Sequence, residues 1–222
     1  MNISDLWHCG KELDWKEALT EYCKVTSVGK NIDLERRMQN ITPEYVRNMT
    51  IDEFYQFLYN EYFVWKYTAK NRLTTTRKLL TRYKVEGMDQ LEKARVKIFK
   101  AYYEDPEDTE ELLWKTQHIH GLGTAGASGL LSILFPKHYG TLDQYVVRAL
   151  FEIKDLDEFP FIEKIHRKID SPKNSYSLTI DDGVILENIL RCKAKELNAK
   201  FNSDEWSPRK IDMILFASRD DK

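Results

Sequence analysis

Helix punctuation recurs along the whole chain and leaves little room for any other element. Thr50 is followed three residues on by Glu53, and Thr179 by Asp182, each pair a capping box that opens a helix. Thr42-Pro43 and Ser207-Pro208 each set a hydroxyl cap before a proline at the first helical position. Between these marks apolar residues return at helical spacing. The spacing predicts helices over 14–24, 73–83, 88–103, 109–118, 125–135, 144–151, 179–198 and 209–217. The box at Thr50 opens an aromatic helix whose stripe is Phe54, Phe57, Leu58, Tyr62 and Trp65. No stretch alternates with the period of a strand, and neither a repeat nor a low-complexity tract interrupts the pattern. The expected fold is all-α, with a loop-rich joint at Asp170–Ser177 between two helical groups.

Composition excludes several classes. With 222 residues, 42% hydrophobic and 32% charged, the chain is neither collagenous nor broadly disordered. Its mean hydropathy of −0.56 fits a soluble protein. The longest apolar patches, such as Leu130–Phe135, fall far short of the roughly 20 residues a membrane helix needs. Met1–Gly10 lacks the basic and apolar regions of a secretory signal. The three cysteines, Cys9, Cys23 and Cys192, are too scattered for a disulfide scaffold or a CxxC metal site. The expectation is a cytoplasmic chain with reduced thiols.

Net charge is only −2, but the charges are segregated. Lys66–Lys84 holds seven bases (Lys66, Lys70, Arg72, Arg77, Lys78, Arg82 and Lys84) and no acid, whereas Glu104–Glu111 has six acids and no base. One face could therefore attract a polyanion although the total is slightly negative. On charge alone, a solvated helix face beside an acidic loop is the reading these residues favour.

Ile119–Leu150 carries the most information. Gly121-Leu122-Gly123 falls between two helices, permitting a tight turn that Leu122 can pin from inside. The amides at the start of the second helix can hold a phosphate oxygen. That helix begins with small residues, Ala125, Gly126, Ala127, Ser128 and Gly129, which let another backbone or a nucleic-acid strand approach. Asp143 then precedes a further helix, where an acid is an ordinary N-cap.

This string resembles the helix-hairpin-helix DNA glycosylase superfamily, the endonuclease III-like fold. Ile119-His120-Gly121-Leu122-Gly123 matches the family's hairpin, with His120 where proline is common. Leu142-Asp143-Gln144-Tyr145-Val146-Val147-Arg148 matches its aspartate motif, with Gln144 and Tyr145 replacing the usual Thr or Ser and His. Asp143 lies twenty positions after Gly123, the family's interval. The resemblance implies a two-lobed helical bundle. Residues 30–135 would form a central lobe ending in the hairpin, and residues 1–29 with 136–222 a second lobe.

The resemblance also implies chemistry. Family members extrude a nucleotide from double-stranded DNA into a pocket between the lobes and break its N-glycosidic bond. Asp143 is then the catalytic residue, its carboxylate stabilising an oxocarbenium-like transition state. Gly121, Leu122, Gly123, Thr124 and Gln144 would contact the DNA, with Lys70, Arg72, Arg77 and Lys78 adding phosphate contacts. Tyr62, Trp65 and Tyr67 could stack on a flipped base, or form core. Bifunctional members place a lysine nucleophile where this chain has Ala125, and neither Lys115 nor Lys137 matches that position. The expectation is a monofunctional glycosylase without β-lyase activity by that route.

Too few cysteines remain for the four-cysteine iron–sulfur loop, and His118 and His120 lack zinc-site spacing. No metal and no cofactor is expected, although the hairpin carbonyls of the family can hold a monovalent cation. The partner implied is duplex DNA, bound by a monomer. A non-catalytic DNA-binding protein on the same fold remains the alternative, as does a helical protein whose glycine turn is only structural.

Overall fold

A computed structural model describes residues 2–27, 32–171 and 177–218. All regular structure among these residues is helical, with no strand. In chain order the helices are α1 (Ile3–Trp7), α2 (Glu12–Ser27), α3 (Ile32–Gln39), α4 (Pro43–Arg47), α5 (Ile51–Gln56), α6 (Phe63–Lys66), α7 (Lys70–Leu80), α8 (Tyr83–Glu86) and α9 (Met88–Glu104). There follow α10 (Thr109–Gln117), α11 (Thr124–Leu134), α12 (Gln144–Phe151), α13 (Phe159–Ile169), α14 (Ile180–Phe201) and α15 (Pro208–Ala217). Both capping boxes form as written, at Thr50/Glu53 and Thr179/Asp182.

Buried apolar side chains gather in two clusters. The first runs from Met38 to Tyr139 and includes the aromatic stripe Phe54, Phe57, Leu58 and Tyr62. The second joins Ile3, Leu6, Trp7 and Trp15 of the N-terminal helices to residues between Leu142 and Leu215. Helix α15 packs on α2, α12 and α14, so the two ends of the chain close on each other.

Three helices escape the sequence pattern. Helix α1 is only five residues long. Helix α3 buries just Glu35 and Met38 in an otherwise charged segment. Helix α13 buries Ile162 and Ile165 and starts around Pro160, which reads in sequence as a break. The expected helix over 73–83 begins earlier, at Lys70, and stops at Leu80, and Tyr83 starts the separate turn α8. Of the expected joint Asp170–Ser177, residues 172–176 lie outside the described residues.

Between α5 and α6 the helix widens into a π-helical stretch, Phe57–Tyr62. Such a stretch adds a residue to the turn and swings the following side chains around the axis. The residues delivered just after it are Trp65 and Lys66.

Candidate active site

The loop before Asp143 is held amide by amide. Gly140 N donates to both carboxylate oxygens of Glu187, each at 3.1 Å. Thr141 N donates to Asp212 Oδ2 at 2.5 Å, and Leu142 N to Ser128 Oγ at 2.9 Å. All three acceptors are buried polar side chains. Buried acceptors that each hold a backbone donor are expensive to disturb, so the loop has one geometry. Sequence reasoning missed this clamp because Glu187, Asp212 and Ser128 are polar residues on three different helices, with no motif linking them to the loop.

Asp143 is thereby fixed at the N-terminus of α12 with its two oxygens in different roles. Oδ1 accepts from Tyr145 N at 2.9 Å and Val146 N at 3.4 Å, the ordinary N-cap. Oδ2 turns the other way and accepts from Lys66 Nζ at 3.2 Å. The lysine side chain is 7% exposed and the aspartate 21%, so this ion pair is largely withdrawn from water. Lys66 reaches it across α11: a Cβ on Gly129 would lie 3.1 Å from Lys66 Cδ and 2.8 Å from the Tyr62 hydroxyl. At Gly129 the small residues of α11 thus admit side chains of the preceding aromatic segment, whereas Ala125 and Gly126 line open groove.

Beside the pair opens a cavity of about 280 Å³ lined from both clusters, by Glu35, Trp65, Lys66 and Thr68 on one side and by Tyr22, Asp143, Arg209 and Phe216 on the other. Its wall is a connected polar network. Glu35 Oε1 accepts from the Tyr22 hydroxyl at 2.7 Å and Gln39 Nε2 at 2.9 Å, and Oε2 accepts from Trp65 Nε1 at 2.6 Å. Arg209 Nη1 donates to both oxygens of Asp212, at 2.9 and 3.1 Å, and its guanidinium lies 5.4 Å from the Trp65 ring centre. Burial pushes Asp212 up to about 6 even against Arg209 and the Thr141 amide. Burial opposes the charge of Arg209, but Asp212, Tyr22 and Glu35 outweigh it and hold the guanidinium charged. Burial also pushes the Tyr22 phenol well above its ordinary range.

A groove of about 410 Å³ continues from the cavity, sharing Lys66, Thr68, Asp143 and Tyr145, and runs to Arg72, Gly121, Gly123 and Gln144. Gly121 turns with φ +94°, and a Cβ there would meet the Thr76 carbonyl oxygen at 2.9 Å, so the turn requires glycine. Gly123, by contrast, is extended backbone at φ −95°, and a Cβ on it would meet nothing within 4 Å. The N-cap residues Ala69 of α7 and Gly123 of α11 give no side-chain cap, although Arg72 N donates to Asn71 Oδ1 at 2.8 Å, and residues of both first turns line this groove. His120, at the position where proline is common in the hairpin, stacks on Tyr83 at 4.3 Å and meets Glu86 at 2.7 Å, docking the turn on α8.

The predicted contact residues separate on inspection. Gly121, Gly123, Gln144 and Arg72 come together in the groove, with Thr124 beside them. The Thr124 hydroxyl, however, is already taken by Gln117 at 3.0 Å. Leu122 is buried in the first core, which leaves the backbone of the turn, not this side chain, facing outward. Arg77 is turned away: its Nε donates to the Tyr59 carbonyl at 2.8 Å and its guanidinium covers the Tyr59 ring. Lys70 and Lys78 are exposed and line neither space. The seven bases of Lys66–Lys84 therefore do not form one face. Tyr62 is fully buried and hydrogen-bonds the Gly126 carbonyl, so it is core; Trp65 lines the cavity and Tyr67 the groove. Among the described residues no group of three or more His, Cys, Asp and Glu side chains is placed to hold a metal ion, and no helix is long and apolar enough to cross a membrane. Comparison with protein-family models, with curated proteins and with solved structures finds no match to this chain, so the site is read from its own geometry.

Proposed function

We propose that the protein is a DNA base-excision glycosylase-like enzyme that binds double-stranded DNA as a monomer, draws one damaged or mismatched nucleotide into the inter-cluster cavity and hydrolyses its N-glycosidic bond. The observation that carries this reading is the divided role of Asp143. One oxygen anchors the carboxylate to α12, and the other faces a partly enclosed cavity beside a cation. A fixed carboxylate in a site shielded from water stabilises positive charge developing on a sugar, the main requirement of N-glycosidic cleavage. The adjoining groove suits the flanking phosphates: the start of α11 carries no side-chain cap, and Arg72 adds a charge.

A second reading rests on the same pair. Both Asp143 oxygens already have partners, which also suits a protein that holds an extrahelical nucleotide without cutting it. Duplexes carrying uracil, 8-oxoguanine, alkylated purines or mismatched adenine, developed with hot alkali, separate the two. Cleavage lost in Asp143→Asn supports the glycosylase. Salt-sensitive binding with no cleavage supports the non-catalytic binder.

A further inference from the structure

Arg209 stands in the first turn of α15, where the helix dipole opposes a cation, yet it is 8% exposed and lines the cavity. Its N–H donors are not all used. Nη1 has two protons and three acceptors, the two oxygens of Asp212 and Thr141 Oγ1 at 3.0 Å. Nη2 also has two protons, but among the described residues it meets one acceptor within hydrogen-bond distance, the Tyr22 hydroxyl at 3.3 Å. Glu35 Oε1 is 3.9 Å away and already holds Tyr22 and Gln39. One N–H of a buried cation is thus left for whatever fills the cavity, and a charged donor withdrawn from water is costly to leave unpaired. The charge of the wall says what that partner is. Glu35, Asp143 and Asp212 line the cavity with the two cations Arg209 and Lys66, so a phosphate is repelled and a neutral oxygen acceptor fits. A base carbonyl is such an acceptor; an exocyclic amine points protons at protons.

We propose that Arg209 determines the specificity of the site by reading a carbonyl oxygen that stands where the normal base carries an amine, so that the substrates are the deaminated bases uracil and hypoxanthine. This inference rests on the glycosylase reading and names the substrate of the same cavity. Deamination exchanges the C4 amine of cytosine or the C6 amine of adenine for a carbonyl, and the group that would oppose Nη2 becomes the group that completes it. A normal cytosine or adenine leaves the guanidinium N–H unpaired, a mismatch that discriminates more sharply than shape does. The same guanidinium holds Asp212, whose Oδ2 accepts the Thr141 amide two residues before Asp143. Reading the base and placing the carboxylate therefore share one side chain.

The test uses the full chain and duplexes of one sequence in two series. One carries uracil, cytosine or 2-pyrimidinone, the other hypoxanthine, adenine or unsubstituted purine, so that the group read is a carbonyl, an amine or a hydrogen. Each base stands opposite a tetrahydrofuran abasic analogue, which removes base pairing from the comparison. In single-turnover release by the wild-type chain, the carbonyl member of a series should lead the other two by at least about 100-fold. That gap should shrink at least about tenfold in Arg209→Met and be partly restored in Arg209→Lys. A ratio within one variant cancels any loss of folded protein, and where Arg209→Met releases nothing the wild-type gap between carbonyl and hydrogen decides. Amine or hydrogen members released as fast as the carbonyl member, or an undiminished gap in Arg209→Met, overturn the reading by Arg209. Release confined to bases outside both series, such as alkylated or oxidised purines, overturns the deaminated substrate and leaves the glycosylase reading standing, whereas no release from any duplex overturns both.

Discussion

Gly129 makes the room through which Lys66 reaches Asp143: a Cβ there would stand 3.1 Å from Lys66 Cδ and 2.8 Å from the Tyr62 hydroxyl. Gly129→Ala forces one of these to move in a close-packed core, at a cost of about 1–3 kcal/mol. The expected outcome is a lower melting temperature together with a fall in base release, because Asp143 loses its Lys66 partner. A variant that melts lower but releases base at the wild-type rate would show that Lys66 keeps its place by other means.

The loop clamp gives a second prediction. Ser128→Ala removes the side-chain acceptor of the buried Leu142 amide and should cost about 1–3 kcal/mol, the penalty for an unsatisfied buried donor. Because Leu142 precedes Asp143 directly, base release should fall further than the folded fraction does. Denaturant melts alongside single-turnover rates separate the two effects.

Glu187 predicts a pH dependence. Burial raises its carboxyl from 4.5 to about 8, while Arg191 and the Gly140 amide work the other way. Below 4.5 it is protonated in both the folded and the unfolded chain and contributes nothing to the difference. Between 4.5 and about 8 the unfolded chain ionises while the folded one keeps its proton, so stability falls as pH rises through that window. Glu187→Gln has no such titration. Its melting temperature relative to wild type should therefore climb from about pH 5 to about pH 8; a flat difference would mean that the carboxyl titrates near its ordinary value.

Two arginines five residues apart should behave oppositely. Arg72→Ala should weaken duplex binding and reduce the log–log salt slope by about 1, the signature of one lost phosphate contact. Arg77→Ala should destabilise the fold, through the lost Tyr59 carbonyl bond and ring contact, and leave that slope unchanged. Titrations at several salt concentrations decide both, and equal slopes for the two variants would remove Arg72 from the interface.

Local rules made some of the molecule legible in advance. The caps at Thr50 and Thr179, the stop at Pro136 and the acid at Asp143 act within a few residues, and each appears where its sequence puts it. The cavity wall was hidden because it is assembled across the chain. Glu35 lies in a charged segment that no sequence motif singles out, yet Tyr22 and Trp65 both turn a hydrogen bond onto it. Arg209 and Lys210 look alike in the first turn of α15, but only Arg209 is buried, because Asp212 lies one helical turn away to receive it. Lys66 looked like one member of a basic run; only the π-helical turn and Gly129 distinguish it, and neither effect is local to its own sequence.

The most direct measurement is the release of free bases from genomic DNA that has been oxidised, alkylated or deaminated, read by mass spectrometry with the full-length protein and with Asp143→Asn. A time-dependent release of one modified base by the wild-type chain, abolished in the variant while duplex binding persists, is the predicted result. No base released from any of the treated DNAs, or release unaffected by Asp143→Asn, would contradict the assignment of the Asp143 cavity as a glycosidic-bond-cleaving site.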